Sequence, residues 1–350
     1  MEANSVSLLY CRKYVLVTGA TGFIGAHVVD ELLRRGLKVR GATRSLAKGD
    51  AMIKARPQFA SSLDFVQIDD FENPGRLDHA VKDIDAVVHV ASPLTYDTKD
   101  NEKELIIPAI NGVKAVLEAA AASGTVRRVV MTSSFAAVMD VDRHGVPPYF
   151  VYTGADWNPL TYEEATAAAT PAYLAYRGAK KFAEKAAWEF VATRRPGFDL
   201  VALCPSMTFG PVVHPVAGLG QLNETNAMLW KVARGEPLSA ARVPSWIDVR
   251  DLAAAHVEAV LRPGAGGRRF IPGGPERFSY DMAAQIMEEE FAWARGRVRR
   301  ERQAVDESYG WDGESTAREL GIEYTSFRKS VVDLISQLAR MQEEEEEASK

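Results

Sequence analysis

The chain has 350 residues, 47% of them hydrophobic, and a formal net charge of −5. These values are typical of a globular protein with a sizeable core, and the negative charge argues against nucleic acid or an anionic membrane surface as a partner. Two cysteines, Cys11 and Cys204, are too few for a disulfide framework or a thiolate metal cluster. We see no leader pattern and no apolar segment near the roughly 20 residues that span a bilayer, so we expect a cytoplasmic protein without a membrane partner.

In the first half of the chain, short apolar runs alternate with helical patterns. This alternation is typical of a parallel sheet with helices on both faces. Strands are predicted over 14–18, 37–43, 65–68, 86–91, 128–132 and 200–204. Helices are predicted over 22–35, 102–122 with a bend at Pro108, and 172–193. Six strands in this alternation predict a doubly wound, Rossmann-like α/β fold.

After Pro205 the pattern changes to a loop over 210–220 and a helix over 223–234. A strand over 245–249 and a helix over 251–261, with Asp251 as its N-cap, indicate a return to the sheet. Further helices over 279–293 and 327–340 indicate a small α+β C-terminal lobe that binds substrate. The predicted division is a nucleotide-binding domain over 12–209 joined by 245–262, a lobe made of 210–244 and 263–340, and flexible ends over 1–11 and 341–350. The second of these ends, 341–350, includes the like-charge run Glu343–Glu347.

The first strand leads into a glycine motif, Thr18-Gly-Ala-Thr-Gly-Phe-Ile-Gly25, and a helical pattern follows it. Gly19 permits a tight turn, Gly22 lets a pyrophosphate approach the helix N-terminus, and Gly25 allows the helix to pack closely on the strand. Thr21 lies in the same loop. The motif predicts a dinucleotide site.

The end of the second strand indicates which dinucleotide is bound. A site for NAD usually has an acidic residue there to hold the ribose 2′-hydroxyl, but this chain has Arg44 and Lys48, with no carboxylate before Asp50. An arginine fork suits a 2′-phosphate, which favours NADP(H) as the cofactor. Asp70, after the third strand, is a candidate acceptor for the adenine amine; Asp69 competes with it for that role, and either could instead cap the next turn.

Tyr176 and Lys180 lie four residues apart in a predicted helix, so their side chains share one face. Reduction of a carbonyl leaves an alkoxide that needs a proton. A phenol is a poor acid–base group at neutral pH, and a neighbouring cation favours its ionised form. The pair therefore predicts a proton donor, Tyr176, tuned by Lys180.

Ser133 and Ser134 follow the strand over 128–132, where ligands bind in open α/β sheets. Either hydroxyl could bond the substrate carbonyl, or both could satisfy turn backbone groups. Tyr173 is not favoured as the acid because its partner four residues on is Arg177. The six histidines show no metal-ligand spacing, and we interpret His89 and His256 as core residues, so no metal site is predicted.

These motifs resemble the extended short-chain dehydrogenases/reductases, and in particular the branch with plant dihydroflavonol and cinnamoyl-CoA reductases and yeast aldehyde/ketone reductases. The residues that carry the resemblance are 18–25, 39–44, 88–93, 132–134, 176–180, 204–211 and 246–256. The likeness implies bound NADPH, a Ser–Tyr–Lys set with Ser134 in the catalytic place and Ser133 as second choice, and aldehyde, ketone or thioester substrates. It also implies cofactor contacts from Phe23, Ile24, Arg44, Asp70, Ala91, Tyr176, Lys180 and Pro205. The segment 171–175, Pro-Ala-Tyr-Leu-Ala, lacks the NWYCY pattern of cinnamoyl-CoA reductases, which argues against a CoA thioester.

The sequence thus predicts an NADPH-dependent carbonyl reductase that acts on a small-molecule aldehyde or ketone. We expect a largely apolar pocket formed by Phe135, Tyr173, Met207, Phe209 and Trp230. One alternative is an NAD-dependent nucleotide-sugar epimerase or dehydratase, which the basic region at Arg44 disfavours. Another is a non-catalytic NADP-sensing regulator, which would not need Tyr176.

Overall fold

The computed structural model describes residues 13–71, 74–92, 98–143, 145 and 149–348. Its centre is a seven-stranded parallel sheet in the order β10-β7-β5-β4-β1-β2-β3. These strands are β1 (Tyr14–Thr18), β2 (Lys38–Thr43), β3 (Leu63–Gln67), β4 (Ala86–His89), β5 (Arg128–Thr132), β7 (Asp199–Leu203) and β10 (Arg268–Phe270). Two small parallel pairs accompany the sheet: β6 (Phe150–Tyr152) with β11 (Tyr309–Trp311), and β8 (Met207–Phe209) with β9 (Trp246–Asp248). The predicted Rossmann-like fold is confirmed.

The helices alternate with the strands in the first half and dominate the C-terminal part. They are α1 (Phe23–Arg34), α2 (Leu46–Lys54), α3 (Pro74–Ala80), α4 (Ile107–Ser123), α5 (Tyr162–Thr166), α6 (Ala172–Arg194), α7 (Glu224–Ala233), α8 (Val249–Leu261), α9 (Tyr280–Glu290), α10 (Gly313–Leu320) and α11 (Phe327–Ala348).

Each face of the sheet is covered by a pair of helices. Leu16, Val87 and Val129 belong to the core that includes α4 and α6, whereas Val17 and Val88 belong to the core that includes α1 and α8. Successive strand residues point to opposite faces, so a strand buried on both sides must be apolar at every position. This is why β1, β4 and β5 are recognisable in the sequence as continuous apolar runs.

The sequence prediction was wrong about which late segment joins the sheet. Trp246–Asp248 pairs with β8 outside the sheet, and Arg268–Phe270 adds to its edge beside β7. Part of the predicted lobe segment 263–340 therefore belongs to the nucleotide-binding domain. The cap prediction was also wrong: α8 begins earlier, and Asp248 caps it by accepting from the Arg250 N–H at 2.8 Å. Asp251 instead accepts from the backbone N–H and the hydroxyl of Thr325.

A π-helical turn, Glu102–Ile106, precedes α4 and ends just before Pro108. Proline lacks an N–H and clashes with the preceding turn, so an irregular turn at the predicted bend follows from the sequence. By length and composition the stretch Glu102–Ser123 could cross a membrane, which corrects our expectation that no segment approaches that length. A single such helix is weak support for a span, since core helices meet the same criterion, and here it packs against α6 and the sheet.

The last helix, α11, continues through the glutamate run to Ala348, so the prediction of a flexible segment from 341 is wrong for the described residues. Its apolar stripe is buried in the core of the lobe, and glutamate is a good helix former. Gln337 accepts from the Val212 N–H and donates to the Val212 carbonyl, each at 2.7 Å, and Glu345 accepts from the Leu219 N–H at 2.8 Å. The helix thus fixes both ends of the segment 212–219. The predicted flexible segment 1–11 lies outside the described residues.

Candidate active site

A cavity of about 1540 Å³ runs along the carboxyl ends of the parallel strands. All of the predicted cofactor-binding and catalytic residues line it. They are Gly19, Thr21, Gly22, Phe23, Ile24, Gly25, Arg44, Lys48, Asp70, Ala91, Ser134, Tyr176, Lys180 and Pro205. The structure therefore brings the glycine loop, the basic residues after β2 and the Tyr–Lys pair to one continuous site, where open α/β sheets bind ligands.

The glycine loop is shaped for a close backbone approach. Gly19 has a φ of +67°, and a Cβ there would lie 3.0 Å from the Ala91 nitrogen. A Cβ at Gly25 would lie 2.1 Å from the Gly19 carbonyl oxygen, so a side chain there would separate α1 from β1. Gly22 is the N-cap of α1 and has no side-chain cap, which leaves the N–H groups of the first turn directed to the cavity end of the helix. An anion such as a pyrophosphate fits this arrangement.

The basic residues after β2 lie at one end of the cavity. Arg44 is exposed, and no carboxylate of the described residues forms an ion pair with its guanidinium. Of the two aspartates considered for the adenine, Asp69 lies 3.3 Å from the Arg76 guanidinium, and Asp70 also lines the cavity. Arg44 and Lys48 thus offer positive charge at the place where a 2′-phosphate would bind.

Tyr176 and Lys180 lie one turn apart on α6, and the Lys180 Nζ is 5.8 Å from the centre of the Tyr176 ring. The ammonium donates to the Ser92 hydroxyl at 2.9 Å, a partner that the sequence analysis did not identify. Burial lowers the pKa of Lys180 to about 8, and the nearby carboxylate of Glu184 opposes this shift. Lys180 is therefore mostly charged at neutral pH, and its pKa lies close to neutral pH.

The two serines after β5 have different partners. The Ser133 hydroxyl is buried and donates to Glu184 Oε2 at 2.5 Å, so its proton is already engaged. The Ser134 Oγ accepts from the Ala136 N–H at 3.1 Å, which leaves its own proton free for donation into the cavity. This geometry favours Ser134 over Ser133 as the hydroxyl that contacts a substrate.

A buried ion pair, which the sequence analysis did not identify, lies behind the site. Glu184, two turns after Tyr176, is fully buried and contacts the Arg269 guanidinium at 2.6 Å and 3.2 Å. Arg269 comes from β10 and also donates to the carbonyls of Gly154 and Asp156. The pair therefore ties the catalytic helix to the sheet edge and to the loop before α5. Only the position of Glu184 on the inner face of the helix could have indicated it.

The histidines near the site are neutral core residues, as the sequence predicts. His256 Nδ1 lies 2.8 Å from the Leu252 carbonyl, so that nitrogen carries the proton and Nε2 accepts from Thr132 at 2.7 Å. His89 Nδ1 lies 2.8 Å from the Thr18 hydroxyl, which itself accepts from the Ala91 N–H. Burial lowers the pKa of each to about 4.

The predicted substrate pocket is partly corrected. Phe135, Tyr173 and Met207 line the cavity, and Tyr173 is 51% exposed. Phe209 and Trp230 are 0% and 6% exposed, and they pack in the core of the C-terminal lobe instead. A large aromatic side chain on an amphipathic helix or a buried strand serves a core as well as a pocket, so residue type alone could not separate the two. Among the described residues no group of His, Cys, Asp and Glu could hold a metal ion.

Comparison with known proteins agrees with this geometry. The profile of the NAD dependent epimerase/dehydratase family matches residues 15–271. The NADPH-dependent methylglyoxal reductase GRE2 of Saccharomyces cerevisiae is 32% identical over 348 residues, which cover 94% of this chain and 98% of the relative. The ketoreductase azaE of Aspergillus niger is 35% identical over 272 residues, covering 74% and 77% of the two chains.

A solved structure of yeast methylglyoxal/isovaleraldehyde reductase Gre2 complexed with NADPH is similar over the same length. It matches with a TM-score of 0.84 at 30% identity and covers 94% of this chain and 99% of its own. The chain belongs to the NAD dependent epimerase/dehydratase family, the extended short-chain dehydrogenases/reductases.

Proposed function

We propose that this protein is an NADPH-dependent carbonyl reductase that converts a small-molecule aldehyde or ketone to the alcohol. The observation that carries the proposal is the single cavity that contains the glycine loop, Arg44, Ser134 and the Tyr176–Lys180 pair. The likeness to yeast Gre2 over nearly the whole chain supports it, since that reductase is NADPH-dependent by name and a solved structure of it has NADPH bound.

The chain's own residues fit the dinucleotide. The free N–H groups at the start of α1 would hold the pyrophosphate, Arg44 and Lys48 the 2′-phosphate, and Lys180 a ribose hydroxyl. Among relatives of this fold, an NAD site would instead be expected to have an acid after β2. When bound, NADPH supplies the hydride for the reduction.

The protein's part of the reaction is to polarise the carbonyl and protonate its oxygen. Ser134, whose oxygen already accepts from the Ala136 N–H, donates its hydroxyl proton to the substrate oxygen. Tyr176 gives its phenolic proton to that oxygen as negative charge develops there. The positive charge of Lys180, one turn along the helix, stabilises the resulting phenolate.

Tyr176→Phe tests the proposal because it removes the proton donor and keeps the ring. We expect kcat to fall by about 10² to 10⁴-fold, the usual contribution of a general acid, with NADPH affinity nearly unchanged. The assay follows NADPH oxidation, by absorbance, over aromatic, aliphatic and keto-ester carbonyls, and is repeated with NADH.

Tyr173→Phe is the matched control, since Tyr173 lines the same cavity on the same helix but has Arg177 in place of a lysine four residues on. We expect this variant to keep most of its turnover. Undiminished activity in Tyr176→Phe would remove Tyr176 from the mechanism, and consumption of NADH in preference to NADPH would contradict the role of Arg44.

A further inference from the structure

The residue after Tyr176, Arg177, lines the cavity. Within the part of the chain that the structure describes, its guanidinium has one hydrogen bond, to the Met139 carbonyl at 3.5 Å, the outer limit for such a bond. No carboxylate of the described residues lies within ion-pair distance of it. An arginine side chain carries five donors, so most of those on Arg177 are left for a ligand or water.

Of the other charged groups along the cavity, Arg242, Lys180 and Asp69 have partners within the described structure, whereas the basic residues after β2 have no carboxylate partner among the described residues. Arg242 lies 3.0 Å from Glu224, Lys180 donates to Ser92, and Asp69 pairs with Arg76 at the opposite end. Because the described partners of Arg177 and Lys180 are neutral, the part of the cavity beside Tyr176 has an excess of positive charge, although the whole chain carries a net charge of −5.

The groups facing Arg177 do not neutralise it. They are the phenols of Tyr309, Tyr173, Tyr152 and Tyr176. Burial raises the pKa of Tyr152 and Tyr309, so both are uncharged at neutral pH, and burial of the guanidinium lowers the pKa of Arg177. A partly buried cation that faces only neutral rings is costly unless an anion binds to it, and a planar guanidinium matches a carboxylate with two parallel hydrogen bonds.

We propose that Arg177 binds a carboxylate carried by the carbonyl substrate, so that the enzyme prefers oxo acids to neutral carbonyls with the same skeleton. This inference rests on the proposed reductase function and names its substrate class. Phe135 and Met139 line the same part of the cavity and accommodate the hydrocarbon part of such a molecule.

The experiment compares phenylglyoxylate with its methyl ester, two carbonyls that differ by one negative charge. In the wild type we expect a higher kcat/KM for the acid. Arg177→Met should lower kcat/KM for the acid by about 10- to 100-fold, the usual contribution of a hydrogen bond to a charged group, and leave the ester nearly unchanged. Arg177→Lys keeps the positive charge but not the planar pair of donors, so its kcat/KM for the acid should lie between those of the wild type and Arg177→Met. The retained ester activity shows that each variant is folded.

Arg242→Met is the matched control, because this cavity arginine already pairs with Glu224. Its acid-to-ester ratio should equal that of the wild type. An equal loss for acid and ester in Arg177→Met, or a wild-type preference for the ester, would overturn the inference.

Calorimetric titration of the NADPH-loaded protein with phenylglyoxylate separates this inference from the proposed function. If the wild type reduces neither carbonyl, the reductase assignment fails, but binding of the acid that is lost in Arg177→Met still supports the anion site. Absence of phenylglyoxylate binding in the wild type would exclude the anion site at Arg177.

Discussion

At the scale of single residues, the arrangement of the proposed catalytic residues could be predicted where chain spacing determines geometry. Tyr176 and Lys180 had to share a helix face, and the structure places them so. Reasoning from the residues alone left the choice between Ser133 and Ser134 open and the resemblance favoured Ser134, because the difference depends on Glu184, a residue 51 positions away from Ser133. Arg177 was noticed only as the residue that disqualified Tyr173, since its lack of an acidic partner is a tertiary property.

Lys180 gives the proposed enzyme a predictable pH dependence. Because burial lowers its pKa to about 8, the ammonium is present below pH 8 and is lost as pH rises through that value. We expect kcat/KM for carbonyl reduction, which reports the free enzyme, to fall above pH 8 in a profile measured with NADPH.

The variant Lys180→Arg keeps its charge throughout this range, so its residual activity should not decline near pH 8. A decline at the same pH in wild type and variant would assign the titration to another group.

At the scale of elements, most strands of the sheet, including the edge strand β3, were predictable, and the edge strand β10 was not. Strand β5 is apolar at most positions and was placed to the residue. Strand β10 has the sequence Arg-Arg-Phe and is covered on one side by α6 side chains such as Glu184, so it lacks the apolar run that would mark it. Strand β9 was predicted to join the sheet because Trp246 and Ile247 are apolar, but it pairs with β8, and Trp246 is buried in the cluster that includes Phe209.

We expect the buried Glu184–Arg269 ion pair to stabilise the position of α6 more than any other ion pair of that helix among the described residues. Glu184→Gln leaves the buried Arg269 without its counterion, and loss of one partner of such a pair costs about 3 to 5 kcal/mol. We expect the free energy of unfolding, measured by urea denaturation, to fall by that amount.

Glu189→Gln changes an exposed glutamate of the same helix and should alter the free energy of unfolding by less than about 0.5 kcal/mol. Equal effects of the two substitutions would show that the buried pair contributes no more than an exposed side chain. Replacement of both partners, Glu184→Gln with Arg269→Met, should recover part of the loss because no buried charge remains unpaired.

At the scale of the whole molecule, stability should fall in mild acid. Burial lowers the pKa of His89, His214 and His256 to about 4, from an ordinary value of 6.5. Between these values the unfolded chain binds protons that the folded chain does not, so each histidine reduces the free energy of unfolding by about 1.4 kcal/mol per pH unit as pH falls. Asp251, whose pKa is raised to about 6 by burial, acts in the opposite direction. We expect Tm to be lower at pH 5 than at pH 7 by calorimetry.

His256→Gln should reduce this difference in Tm, whereas substitution of the exposed His79 by Gln should leave it unchanged. A Tm that does not vary between pH 7 and pH 5 would contradict the conclusion that protonation of buried histidines destabilises the fold in mild acid.

The amide and carboxylate contacts between α11 and the segment 212–219 have a practical consequence. His214, Pro215 and Val216 of that segment border the cavity, and Gln337 and Glu345 hold its two ends. The stretch of cavity wall over 214–216 is therefore held on both sides by side chains of α11. Truncation of the chain before Glu345 would remove the contact at Leu219 and is expected to loosen this part of the wall.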